Sequence, residues 1–169
     1  IFYRTNSQSR AIEEELKSYR IPYQIIGGVK FYDRMEVKDL ICYLRLLLNP
    51  SDDISFLRVL NTPARGIGDV TVQKVMEFAQ QNRLPLLKAA QDIIDSGTLN
   101  RGTAKKIEGF VNLYLSMKSQ MEFHTPGEFL KVLIDHLQYT EYLKFTRPDD
   151  FSDRIDNINE LINVIVKFE

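Results

Sequence analysis

From Val29 to Glu169 the apolar residues recur at helical spacing, and this sustained 3.6-residue period limits the fold more than any other feature of the chain. Val37, Leu40, Ile41, Leu44, Leu47 and Leu48 make one stripe, closed by Asn49-Pro50. Ser51 or Asp52 starts a shorter helix with Ile54, Leu57 and Leu60, ended by Asn61-Thr62-Pro63. Asp69 is placed to cap a helix carrying Val72, Val75, Met76 and Ala79, and Pro85 opens another through Ile94, broken at Ser96-Gly97. A long helix over about 103–121 carries Ile107, Phe110, Val111 and Tyr114. Thr125-Pro126-Gly127-Glu128 has capping-box spacing with Pro at the first helical position, and Phe129, Val132 and Leu133 follow as its buried face. A last helix begins near Phe151 or Ser152 with Ile155, Ile158, Ile162 and Ile165 on one side.

The first 28 residues read differently. Residues 1–4 suggest a strand, Asn6 or Ser7 a cap, and Ala11, Ile12, Leu16 and Tyr19 an apolar helical stripe stopped by Pro22. Tyr23-Gln24-Ile25-Ile26 suggests a second strand ending at Gly27-Gly28. Strand–helix–strand requires neighbouring strands, because two strands alone do not hold in water. The expected fold class is mainly α: a helical bundle with helix-hairpin-helix turns, preceded by a short strand–helix–strand piece of an α/β domain. The apolar start at Ile1-Phe2 and the helical pattern at the end predict a piece of a longer chain.

Composition narrows the function classes. Lys and Arg number 22 and Asp and Glu 23, a net charge of −1, so bulk charge does not hold this chain on a polyanion or a membrane. The balance is uneven: +2 over residues 1–50, +1 over 51–111 and −4 over 112–169, which directs any polyanion to the first two-thirds. A single cysteine, Cys42, excludes an internal disulfide and reads as a packed thiol. His124 and His136 lack partners at metal-ligating spacing, and Asp149, Asp150, Asp153 and Asp156 lack the glycine and closing Glu of a calcium loop. No G-x-x-x-x-G-K-[ST] phosphate loop occurs. The expectation is no catalytic centre, no metal and no cofactor within these residues. No run approaches the roughly 18 apolar residues of a membrane span, and no signal pattern opens the chain; the expected location is the cytoplasm.

One segment points to a ligand. In Asn61-Thr62-Pro63-Ala64-Arg65-Gly66-Ile67-Gly68-Asp69-Val70-Thr71 a helix ends, a Gly-Ile-Gly turn follows and a new helix begins. Two glycines let the backbone turn tightly, so that several amides can face one phosphate. Ile67 is expected to bury and stiffen the turn, while Arg65, Thr71 and Lys74 lie within reach of the same strand. Such contacts are blind to sequence. The competing reading is a plain helix–helix connection with glycine as breaker, and a carboxylate at Asp69 competes for the same donors. A second glycine-bounded turn, Gly97 to Lys106, leads into a helix with Gly102, Lys105 and Lys106 as weaker candidates.

Longer motifs carry a resemblance. Tyr3-Arg4-Thr5-Asn6-Ser7-Gln8-Ser9-Arg10 resembles the YRTNAQSR motif of the UvrD/PcrA/Rep group of superfamily-one DNA helicases. Residues 27–39 are similar to their GGxxFxxRxEIKD segment. The alignment continues through residues 40–53 and 61–68 to Arg154-Ile155-Asp156-Asn157-Ile158-Asn159-Glu160-Leu161, which resembles RxENLxEL. The resemblance implies a parent enzyme that moves 3′-to-5′ on single-stranded DNA and unwinds duplex with ATP and Mg2+ in DNA repair or replication, in the bacterial cytoplasm at the nucleoid. It implies that residues 1–28 end the first part of the RecA-like 2A motor domain and that 29–169 form most of the inserted 2B domain. Arg4 and Asn6 match positions on the single-strand track. Arg65, Gly66, Ile67, Gly68 and Thr71 match the element that grips duplex DNA, and Gly102, Lys105 and Lys106 match less closely. Arg34, Glu36 and Lys38 are expected to be structural, paired within their helix. The implied partners are a duplex/single-strand DNA junction, the rest of the motor, and repair or replication proteins. An alternative role is a regulatory module that restrains the motor or docks partners.

Overall fold

The computed structural model describes residue 1, residues 8–25 and residues 30–169, and the described chain divides into two compact units. One comprises residues 1–40 and 125–169, the other residues 41–124. The division falls inside a helix, at 40/41. No strand occurs among the described residues: Tyr23–Ile25 are irregular, and the strand expected at 1–4 lies outside them apart from Ile1. Strand geometry needs a neighbour to bond with, and the described chain supplies none.

In the unit of residues 41–124, the second half of α2 (Met35–Leu48) is followed by α3 (Asp53–Val59), α4 (Asp69–Asn82), α5 (Leu86–Asp92) and α6 (Arg101–Gln120). Asp52 starts α3 by accepting the Ser55 amide at 3.0 Å, and Asn100 starts α6 by accepting the Thr103 amide at 2.9 Å. The hydrogen bonds from Ser55, aided by Arg45, hold the Asp52 carboxyl below the usual carboxylate range. Asp69 is the first helical residue of α4; the cap position belongs to Gly68, which has no side chain to offer the helix amides. The interior is apolar: Tyr43, Leu46, Leu47, Phe56, Val59, Leu60, Val75, Ile93, Ile107, Phe110 and Met117 are buried, with Phe56 and Phe110 packed edge-to-face at 5.6 Å. Cys42 is half-buried and free.

The other unit contains α1 (Ser9–Ser18), the first part of α2, α7 (Pro126–His136), α8 (Tyr139–Thr146) and α9 (Phe151–Val166). The capping box of α7 forms as its spacing predicts, with the Thr125 amide 3.1 Å from Glu128 Oε2. Helix α8 was not legible as a separate element; it begins after Gln138, a non-glycine residue in the left-handed region at φ 49°, which interrupts the helical chain without a glycine or proline. The buried face of α9 is Asn157, Ile158, Leu161 and Val164, turned from the isoleucine stripe because a polar side chain sits on it. The same substitution of polar for apolar occurs in α1. Its buried residues are Ser9, Arg10 and Glu13, whereas Ala11 and Tyr19 of the expected stripe are exposed. Arg34 Nη1 donates to Asn157 Oδ1 at 2.5 Å and Nη2 to Ser9 Oγ at 2.7 Å. Glu36 receives Arg154 Nη1 at 2.5 Å and Asn157 Nδ2 at 2.6 Å. Arg34 and Glu36 are therefore held by partners on α1 and α9. Lys38 pairs with Asp33 at 2.8 Å.

Candidate nucleic-acid interface

The turn between α3 and α4 is built from both of its ends. Asn61, just past α3, accepts the amides of Arg65 at 2.7 Å and Ile67 at 3.2 Å on its single Oδ1. Gly66 between them takes φ +69°, the left-handed region where a Cβ would strain the backbone. Ile67 is 2% exposed and anchors the turn in the apolar interior, as its place between two glycines suggests. Gly68 then returns to extended backbone at φ −89° and leads into α4, where Thr71 and Val72 donate to its carbonyl at 2.9 and 3.1 Å.

The amides divide sharply. Those of Arg65 and Ile67 are taken by Asn61, whereas those of Gly66, Gly68, Asp69 and Val70 have no acceptor among the described residues. These four residues are exposed. An N–H without a protein partner on an exposed helix start is a ready donor for water or an anion. The Asp69 side chain lies in the same first turn and opposes an anion there.

The cations are arranged otherwise than the sequence suggests. The Arg65 guanidinium is turned inward: Nη1 donates to the carbonyls of Val59, Leu60 and Pro63 at 2.9, 3.2 and 3.1 Å, and Nη2 to the Tyr43 hydroxyl at 2.7 Å. It also lies over the Phe110 ring, 5.4 Å from the centroid. Lys106 of α6 comes to the turn instead, its Nζ 2.8 Å from the Gly66 carbonyl. The helix that follows the second glycine-bounded turn thus brings a lysine to the first turn, 40 residues from Gly66. Gly102 lies in the first turn of α6, and Arg101 and Lys105 beside it are exposed, as is Lys106. Thr71 and Lys74 are half-buried on the first turns of α4. Lys74, Arg101 and Lys105 hold no ion pair with any described residue. Arg4 and Asn6 lie outside the described residues. Sequence spacing makes Lys106 only a weaker candidate, because a lysine in a helix carries no signal of what lies across the fold from it.

Elsewhere the candidates are occupied. His124 Nδ1 lies 3.0 Å from the Gln120 carbonyl, and Asp150 takes Arg154 Nε and Nη2 at 2.8 and 2.7 Å, which holds its carboxyl below the usual range. No cluster of metal-ligating side chains is present among the described residues, and no described helix is long and apolar enough to cross a membrane.

The fold defines a mainly helical protein whose α3–α4 turn carries amides without an acceptor among the described residues beside a lysine of α6. Comparison with known proteins gives the family: residues 1–169 match the UvrD-like helicase C-terminal domain, and the chain belongs to that family. It is 37% identical to the ATP-dependent DNA helicase PcrA of Bacillus subtilis over 169 residues, which is 100% of this chain and 23% of that protein. It is 37% identical to the ATP-dependent DNA helicase UvrD1 of Mycobacterium tuberculosis over 172 residues, 99% of this chain and 22% of that protein. PcrA of Staphylococcus aureus is 36% identical over 169 residues, again 23% of its length. The chain therefore spans under a quarter of the length of these relatives.

Proposed function

We propose that this chain is the DNA-binding accessory region, 2B with the end of the first 2A segment, of an ATP-dependent 3′-to-5′ DNA helicase acting in repair or replication. Its Gly-Ile-Gly hairpin grips the duplex backbone without reading sequence. The observation that carries this reading is the set of four amides, of the exposed residues Gly66, Gly68, Asp69 and Val70, that no acceptor among the described residues satisfies. Phosphate oxygens satisfy such donors, and a phosphate looks alike at every base pair. The unit that carries the hairpin holds ten basic and eight acidic residues, a charge of +2, while the other unit stands at −3. ATP and Mg2+ act in the parent enzyme at residues beyond these, since this chain has no phosphate loop. The exposed Tyr19 and Ile21 and the half-buried Ile12 and Leu16 support residues 1–28 as part of a motor domain whose remaining sheet covers them. Arg4 and Asn6 are assigned to the single strand on the same reading, and the partners are the fork DNA and the motor. The −3 charge of the other unit favours a second role, contact with a basic partner or restraint of the motor.

Anisotropy titration of a labelled duplex with a 3′ tail tests the reading. The expected result is sequence-independent binding with Kd on the order of 10⁻⁴ to 10⁻⁶ M, weakening steeply with salt. Gly68→Val is the sharpest variant. A Cβ at Gly68 meets nothing within 4 Å and its φ suits any residue, so the fold accepts the change while the side chain crowds the amides. Binding insensitive to salt, or unaltered in Gly68→Val, overturns the assignment; amide shifts confined to residues 125–169 favour the partner-docking role.

A further inference from the structure

We infer that the cation meeting the DNA phosphate at this hairpin is Lys106, supplied by α6, and that Arg65 is a positioning residue which sets the loop without touching DNA. The inference rests on the duplex-binding reading above and reassigns the work within that site.

The case against Arg65 as a phosphate ligand is its own hydrogen bonding. Its three carbonyl acceptors include Val59 and Leu60 at the end of α3, which carry the negative end of the helix dipole; the Val59 carbonyl also takes the Thr62 amide at 3.2 Å. A planar guanidinium fork fits that cluster, one face on Phe110 and the other amine on the Tyr43 hydroxyl. The same hydroxyl is bonded to the Thr62 carbonyl. To reach a phosphate, Arg65 would surrender four acceptors and its ring contact. Asn61 completes the brace by holding the amides of Arg65 and Ile67. Together Tyr43, Asn61 and Arg65 determine where the Gly66 peptide sits, and so where the four open amides lie.

Lys106 has the opposite character. It is exposed, and one of its three ammonium donors is spent on the Gly66 carbonyl, leaving two. A Cβ built on Gly66 would come 3.0 Å from its Nζ, so the ammonium lies directly over the peptide next to the open amides. A compact hydrated charge held at that spot, with donors to spare, is suited to a phosphodiester oxygen that also accepts from the backbone. The helix that follows the second glycine-bounded turn thereby contributes to the first site.

Salt dependence separates the two roles, because only a residue that neutralises a phosphate changes the counterions released. On the whole chain and one duplex, the slope of log K against log salt is measured for Lys106→Ala, Arg65→Ala, Arg65→Lys and Tyr43→Phe. Lys106→Ala is expected to weaken binding and reduce the slope by about 1. The Arg65 and Tyr43 variants are expected to weaken binding several-fold with the slope unchanged. At temperatures where they stay folded, their Ile67 amide should exchange faster while amides in the middle of α6 do not. A slope reduced by Arg65→Ala and untouched by Lys106→Ala overturns the inference, as does full affinity in Arg65→Lys or in Tyr43→Phe. Should Arg65→Ala not fold, Arg65→Lys and Tyr43→Phe decide the matter. If the unaltered chain shows no salt-dependent binding, the duplex reading falls and the Lys106 assignment with it; if it binds and only the slopes disagree, the inference alone fails.

Discussion

The two units solve the problem of a stable interior by different chemistry. Among the described residues, the buried polar and charged side chains of the unit of 1–40 and 125–169 are Ser9, Arg10, Glu13, Arg34, Glu36, Asp39 and Asn157; the unit of 41–124 buries only Ser55. The first is stitched by ion pairs and hydrogen bonds between residues more than a hundred positions apart, such as Arg154 with Glu36 and Arg10 with Glu160. The second is an ordinary apolar core whose polar groups are used at its edge, where Asn61 and Arg65 shape a loop. A buried ionic net gives geometric specificity at a high cost of desolvation, and is fragile when one member is lost. An apolar core tolerates its surroundings and leaves surface donors free for a ligand.

Three predictions probe that contrast, each read by residue-resolved hydrogen exchange so that the units are followed separately. Glu36→Ala has the largest expected effect. Glu36 is 1% exposed and takes donors from Arg154 and Asn157, so its loss leaves both without their shared acceptor. The expected cost is about 3–5 kcal/mol, confined to the first unit; a loss below about 1 kcal/mol would remove the distinction between the units. Tyr139→Phe is next. Its buried hydroxyl donates to Asp39 at 2.6 Å, and removing that bond to a charged acceptor should cost about 1.5–3 kcal/mol near neutrality. Burial, with the Asp39 charge adding to it, pushes the Tyr139 pKa far above its ordinary value of about 10. The folded state then holds the proton more tightly than the unfolded state. The associated stability is complete below pH of about 10 and declines as pH rises beyond it. Unchanged alkaline sensitivity of the first unit in Tyr139→Phe contradicts this. The smallest effect belongs to Asn100→Ala, which deletes the cap of α6: about 1 kcal/mol, with the loss concentrated at the helix start beside Lys106.

Much of the helical order was legible because it is local. Capping at Asp52 and Thr125 and the apolar period of α2, α4 and α6 involve neighbours within a turn or two. The Gly66-Ile67-Gly68 turn was legible for the same reason, since a left-handed glycine and a buried isoleucine act through their own backbone. Periodicity failed where a polar residue occupies the inner face. Arg10 and Glu13 in α1 and Asn157 in α9 read as surface, and each is buried by a partner from another part of the chain. In the motif of Arg34, Glu36 and Lys38, the helical spacing gives no sign of the partners that Arg34 and Glu36 find on α1 and α9.

The amino-acid order alone determined the helical class, the family motifs and the position of the glycine turn, because these depend on bonds between near neighbours. Only the tertiary structure decided which cation stands at that turn. Arg65 precedes the glycines in sequence yet is drawn inward by the carbonyls at the end of α3, and Lys106, 40 residues after Gly66, is delivered by α6. A side chain's role follows from the acceptors it meets, and those come from the fold.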